Sequence, residues 1–156
     1  MPDLLTHSAV GFFVGRKLFF DYRLGFILIG SILPDLVSRI PQILLQRFLE
    51  LPVAHFFSAF HTPAAFVVFC YLISFLFSSS IRKHGFWLML SGSILHFGLD
   101  VLQKQFHKPI YMPWFPLSLE PVQMAWFHVH ASLLAAPVLF LVMLYVWFKE
   151  QKRKCA

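Results

Sequence analysis

The chain has 156 residues, of which 58% are hydrophobic and only 13% are charged, and its formal net charge is +6. A soluble domain carries about 25% charged residues, so this composition excludes an ordinary water-soluble enzyme and predicts an integral membrane protein. The length suits one domain, residues 1–156, rather than two. Basic residues gather at the ends of apolar segments, which suits membrane lipids as partners. They do not alternate with aromatic residues on one surface, which argues against a nucleic-acid partner.

The first two apolar segments predict an N-terminal helical hairpin. The apolar residues 4–20 are expected to form a helix, and a polar turn separates them from the shorter apolar segment 24–33. That segment gives about 15 Å of helix, too little to cross a hydrocarbon core of about 30 Å. It is therefore expected either to pair with the first segment as a half-inserted hairpin or to continue past Pro34 as a kinked helix. Residues 36–57 mix charged and apolar side chains, which predicts an amphipathic segment in the membrane interface.

Three further segments are predicted to span the membrane, namely 60–77, 85–102 and 126–148. The proline-rich loop 103–123 separates the last two, and a basic tail, 149–156, follows. With this tail in the cytoplasm, nine Lys and Arg side chains fall inside and four outside, as the positive-inside rule expects. The predicted fold class is all-α, a polytopic membrane helical bundle with about three clear transmembrane helices, the N-terminal hairpin and the interfacial segment.

Two ionisable residues, His96 and Asp100, lie inside the second predicted span. Residues four apart share a helix face, and in a membrane such residues must be paired, metal-bound or directed at a polar cavity. Counted at about 1.5 Å per residue, His7, Asp35 and His61 come to the same outer half of the bundle. Three imidazoles and two carboxylates predict a site for a divalent metal, Zn²⁺ first and Mn²⁺ or Fe²⁺ as alternatives. Such an ion would activate a water molecule for hydrolysis.

Each of these residues also has a purely structural interpretation. His96 and Asp100 can form a buried hydrogen bond that only locks two helices together. Asp35 can cap or turn the chain, and His7 and His61 can be interfacial side chains with hydrated tips. These alternatives stay open on the sequence alone.

The other polar candidates are weaker. Three histidines are expected to be interfacial or exposed, namely His55, His84 and His107. His128 and His130 cannot share one helix face, and His128 is the better candidate to face inward. Glu120, in the proline-rich loop, is a weak candidate for a second site.

The chain order of five short motifs resembles that of the YdjM-type (LexA-regulated, inner-membrane-associated) metal-dependent hydrolases. The motifs are Thr6-His7, Leu33-Pro34-Asp35, His61-Thr62, His96-x-x-x-Asp100 and Phe115-Pro116-Leu117-Ser118. The resemblance covers residues 1–118 and implies a protein of the bacterial inner membrane. The ligand order is also similar to that of the zinc phospholipase C and S1 nuclease class. That similarity implies that Asp35, His61, His96 and Asp100 hold one ion, that Asp100 bridges to a second ion near His7, and that Asp35 is the general base.

The functional prediction is a membrane-bound, metal-dependent hydrolase with one or two ions, acting on a phosphoester such as a lipid or lipid-linked phosphate. The catalytic residue would be Asp35, and the site would face the outer half of the membrane. Two departures from the resembled proteins bear on this prediction. Val37 stands where a second acid is common, and no later His-x-x-x-Glu pair is present. The alternative is a non-enzymatic metal-binding or structural membrane protein.

Overall fold

The structure, a computed structural model, describes residues 4–18, 22–49, 57, 60–104, 114, 117–118, 120, 122, 124 and 126–155, with the backbone alone for 46, 47, 49, 103, 104, 127–134 and 150–155. Within these ranges it contains five helices, namely α1 (Leu4–Leu18), α2 (Arg23–Leu49), α3 (Pro63–Ser74), α4 (Ser79–Leu102) and α5 (Val129–Cys155). Two strands of two residues each pair in parallel. The strand β1 (Gln103–Lys104) follows α4, and β2 (Phe127–His128) precedes α5. The prediction of an all-α fold is confirmed, apart from this short pairing.

The second helix is longer than the sequence predicted. α2 is one 27-residue helix that passes through Pro34 and Pro41, so the alternative in which the helix continues past Pro34 is the correct one. Residues 36–49, predicted to be interfacial, form its second half, and 50–56 lie outside the described residues. A proline offers no N–H to the carbonyl four residues earlier, which belongs to Gly30. Oγ of Ser93 in α4 donates to that carbonyl at 2.9 Å and replaces the missing bond.

α2 and α4 cross closely, and they make the most extensive contact in the described bundle. A Cβ atom added to Gly30 would lie 1.9 Å from the carbonyl oxygen of Met89, and one added to Gly92 would lie 2.3 Å from that of Ile27. The two backbones can approach this closely only because both positions lack a side chain. His96 follows Gly92 by one helical turn, so the crossing holds it against α2.

Two helical stretches are long and apolar enough to cross a membrane, Arg23–Leu45 and Ser79–Leu102. The predicted span 85–102 lies within the second of them. The predicted span 126–148 falls largely in α5, where the apolar stretch with described side chains is Ala135–Lys149. α5 itself continues through most of the predicted tail, to Cys155.

The predicted span 60–77 contains a shorter helix than expected. α3 has 12 residues, or about 18 Å of helix. Its start is fixed by the Thr62 side chain, which caps the helix by accepting from the N–H of Ala65 at 3.4 Å, and by Pro63 in the first turn. Tight turns follow its end, in which the N–H groups of Phe75 and Leu76 donate to the carbonyl oxygens of the residues three positions earlier. Among the described residues, two helices are therefore long and apolar enough to span a membrane, whereas the sequence predicted about three clear spans.

The interior of the described bundle is unusually polar. Its buried side chains include eleven polar or charged and ten hydrophobic ones. Large apolar side chains lie outside, with Val68 exposed by 55%, Ile94 by 60% and Leu76 by 81%. A water-soluble protein buries such groups and rarely buries charges unpaired. A membrane-helical bundle is compatible with this distribution, because lipid can cover the apolar exterior.

Candidate metal centre

The structure brings all five predicted site residues together. His7 lies in α1, Asp35 in α2, His61 just before α3, and His96 and Asp100 in α4. All five are buried, and the most exposed of them, Asp35, is only 7% accessible. One ligand atom from each of Asp35, His61, His96 and Asp100 lies within 4.8 Å of the other three. These four residues could hold a metal ion, and we call them the four-residue cluster.

Asp100 contacts all three histidines. Its Oδ2 lies 2.7 Å from Nε2 of His61 and 3.3 Å from Nε2 of His96, and its Oδ1 lies 3.2 Å from Nε2 of His7. Oδ1 of Asp35 reaches the same group from α2, at 3.7 Å from Nε2 of His96. The rings of His7 and His96 are stacked with 3.8 Å between their centroids. Three helices and the segment before α3 therefore meet at this group of side chains.

Hydrogen bonds on the far side of two imidazoles fix the direction of their lone pairs. Nδ1 of His96 lies 2.7 Å from the carbonyl oxygen of Ser31, which can only accept, so the proton is on Nδ1. Oγ of Ser38 donates its only proton to the carbonyl of Pro34, so it accepts from Nδ1 of His61 at 3.0 Å. In both neutral rings the lone pair is then on Nε2 and faces the carboxylates. In metal-binding histidines, a hydrogen bond at the ring nitrogen far from the metal fixes the ring in the same way.

The 2.7 Å contact between Nε2 of His61 and Oδ2 of Asp100 requires a proton or a cation between the two atoms. With its Nδ1 proton given to Ser38, the His61 ring needs either a second proton or a metal ion at Nε2. His61 lies outside both candidate spans, and burial lowers its pKa below the ordinary value, although the hydrogen bond to Asp100 opposes this shift. Burial therefore disfavours the second proton, and a metal ion can take its place.

Several buried ligand atoms in this region make no hydrogen bond with any group that the structure describes. They are Nδ1 of His7, Oδ1 of Asp35, Nε2 of His96 and Oδ1 of Asp100. Three of these atoms have an ionic contact instead, namely Oδ1 of Asp35 with Arg39, Nε2 of His96 with Asp100 and Oδ1 of Asp100 with His7. Zinc bonds to nitrogen and oxygen of about 2.0–2.2 Å put tetrahedral ligands about 3.3–3.6 Å apart. The four-residue cluster fits one such ion after small side-chain movements, and its two imidazoles and two carboxylates suit a borderline divalent metal.

Three contributors to this site were not predicted from the sequence. Ser31 and Ser38 orient the two imidazoles, and Arg39 lies beside both carboxylates. Its Nε is 2.8 Å from Oδ1 of Asp35, outside hydrogen-bond alignment, and its Nη2 is 3.6 Å from Oδ2 of Asp100. The four-residue spacing from Asp35 was a signal for Arg39, because such pairs share a helix face. The carbonyl of Ser31 carries no sequence signal.

The weaker candidates do not join the four-residue cluster where the structure describes them. His84 and Glu120 are exposed, as predicted for the histidine, and Glu120 is not part of the metal-binding group. His55 and His107 lie outside the described residues, as do the side chains of His128 and His130.

Ser38→Ala is expected to lower the affinity for a divalent metal by about 10–100-fold, because the His61 ring loses the acceptor that holds its Nδ1 proton. Competition with a chromogenic chelator measures this affinity. Ser91→Ala is the matched control, since Ser91 is an exposed serine of α4 whose hydroxyl donates to the carbonyl of Trp87 in the same helix. Equal affinities of the two variants would contradict the orienting role of Ser38.

Comparisons with protein-family models, with curated proteins and with solved structures find no match to this chain. The resemblance to the YdjM-type hydrolases therefore stays a prediction.

Proposed function

We propose that this protein is a membrane-embedded, metal-dependent hydrolase that acts on phosphoesters. The observation that carries the proposal is the buried four-residue cluster, whose ligand atoms lie within 4.8 Å of one another. Ionisable groups buried between apolar helices usually mark a functional site. Zn²⁺ suits the donor set best, with Mn²⁺ and Fe²⁺ as alternatives. We propose one ion in this cluster, and His7 is the side chain nearest to any second one.

A bound divalent ion would supply a Lewis acid and lower the pKa of a water molecule. The chain's own residues would do the rest. Asp35, His61, His96 and Asp100 would hold the ion, and His7 would stay beside Oδ1 of Asp100. Asp35 is the more accessible of the two carboxylates, at 7% against 0%, so it is the one that incoming water can reach and the one we propose as general base.

The membrane part of the proposal is supported by the distribution of charge along the helices. Arg23 and Lys83 line one cavity near the start of α2 and in the second turn of α4. Counted along the helices, Asp35 lies about 18 Å beyond Arg23 and Asp100 about 26 Å beyond Lys83. With the basic end in the cytoplasm, the site lies in the outer half of a bacterial inner membrane. A lipid or lipid-linked phosphate is the substrate class within reach.

The test is hydrolysis by the purified protein in detergent, loaded with zinc or manganese. We expect turnover of a chromogenic phosphodiester or a short-chain phospholipid, lost on chelation. Asp35→Asn should lower the rate by at least about 100-fold, with metal content measured on the same samples. Glu120→Gln, an exposed acid outside the cluster, is the control and should leave the rate unchanged. Metal-loaded protein that cleaves neither substrate contradicts the proposal.

A second candidate is a non-enzymatic protein in which the same residues lock the helices together. The 2.7 Å contact between His61 and Asp100 favours it, because a His61 ring with a second proton on Nε2 would join α4 to the segment before α3 without an ion. This candidate predicts either no bound metal or bound metal without turnover. The metal content and the hydrolysis assay distinguish it from the enzyme.

A further inference from the structure

Arg39 lies at the most accessible edge of the four-residue cluster. Its side chain is 22% exposed, whereas the side chains of Asp35 and Asp100 are 9% and 1% exposed. The guanidinium reaches both carboxylates, with Nε 2.8 Å from Asp35 and Nη2 3.6 Å from Asp100. A molecule that approaches the carboxylates from this edge therefore meets the guanidinium.

The charges of the site give Arg39 a role once a metal is bound. Two carboxylates and one guanidinium leave a net charge of −1 when the imidazoles are neutral, and a divalent ion changes it to +1. Without Arg39 the same ion would only neutralise the two carboxylates. In a low-dielectric interior an uncompensated charge is costly, so the residual positive charge favours an anionic ligand and Arg39 is its source.

We infer that Arg39 is the residue that binds the anionic phosphoester group of the substrate, an inference that rests on the proposed function. Before metal binding, the guanidinium acts as the cation for both carboxylates. When the ion binds these carboxylates, the N–H groups at Nε and Nη2 can donate to phosphate oxygens instead. A planar guanidinium binds such oxygens in a bidentate manner. The same side chain would therefore weaken metal binding slightly and strengthen anion binding.

The experiment measures two affinities separately, for zinc alone and then for an anion on the zinc-loaded protein in detergent. The variants are Arg39→Gln, Arg39→Lys and, as a matched control in the same helix, Arg23→Gln, which lies 16 residues earlier or about 24 Å away. The anions are inorganic phosphate and a dioctanoyl phospholipid, so that a free phosphate and a lipid headgroup are distinguished as sources.

We expect Arg39→Gln to bind zinc at least as tightly as the wild type and to bind the preferred anion about 10–100-fold more weakly. The anion affinity of Arg39→Lys should lie between those of the wild type and Arg39→Gln, because lysine keeps the charge and loses the bidentate geometry. Arg23→Gln should bind zinc and the anion as the wild type does. Zinc binding with unchanged anion affinity in both Arg39 variants would overturn this inference alone. Failure of the wild type to bind zinc would overturn the proposed function and this inference together. Circular dichroism of each variant checks that its helices are intact.

Discussion

Asp100→Asn is expected to abolish stable metal binding, with a loss of affinity of at least about 100-fold, since even indirect contacts at metal sites contribute 10–100-fold. The substitution keeps the shape of the side chain and removes the charge that faces His7, His61 and His96 at 2.7–3.3 Å. An amide also presents its NH₂ group to imidazole lone pairs that now face an oxygen. The measurement is the metal content of the purified protein, wild type beside variant, together with zinc affinity by chelator competition.

Glu120→Gln is the control for this experiment, because it removes one negative charge from an exposed position outside the cluster. It should retain the full metal content. If Asp100→Asn copurifies with as much metal as the wild type, the four-residue cluster is not the metal site. If neither protein holds metal, the cluster is a set of hydrogen bonds, and the structural candidate gains support.

Gly30→Ala is expected to destabilise the protein by about 2–4 kcal/mol, or roughly 5–15 °C in melting temperature for a chain of this size. The new methyl group would lie 1.9 Å from the carbonyl oxygen of Met89. Backbone, unlike a flexible side chain, cannot move aside locally, so α2 and α4 must separate. Zinc affinity should fall as well, because His96 in α4 is bonded to the carbonyl of the next residue, Ser31.

Two controls separate the crossing from the general effect of replacing a glycine in a helix. Gly25 in α2 and Gly98 in α4 have no neighbour within 4 Å of an added Cβ. Alanine there should leave the melting temperature unchanged or raise it, by up to about 1 kcal/mol of stability, because alanine favours helix more than glycine does. Equal melting temperatures of Gly30→Ala and Gly25→Ala would contradict the close crossing described above.

The sequence was enough to predict that the five site residues lie close together, because each indication came from residues within one apolar segment. The spacing of His96 and Asp100 gives a shared face, and the cost of burying charge in an apolar helix makes such residues stand out. Counting helical rise from the charged ends then put His7, Asp35 and His61 at a similar depth. The same residue types predict a divalent metal, and the metal content of Asp100→Asn tests that prediction.

The length of α2 could not be predicted in the same way. Pro34 predicts an interruption on local grounds, since it removes one helical hydrogen bond. The compensation comes from Ser93, which is far away in sequence and donates to the carbonyl that Pro34 leaves without a partner. Arg39 was assigned to the predicted interfacial segment 36–57, so its four-residue spacing from Asp35 on one continuous helix was not used.

The position of Asp100 near the end of α4 has a consequence for the order of events during synthesis. A growing chain delivers His7, Asp35 and His61 first, and until α4 follows they have no common carboxylate to meet. The last acidic partner to be made is therefore the one on which the others converge. Under the proposed function, metal capture follows the docking of α4, because a nascent chain that stops short of residue 100 lacks one of the four residues that could hold the ion.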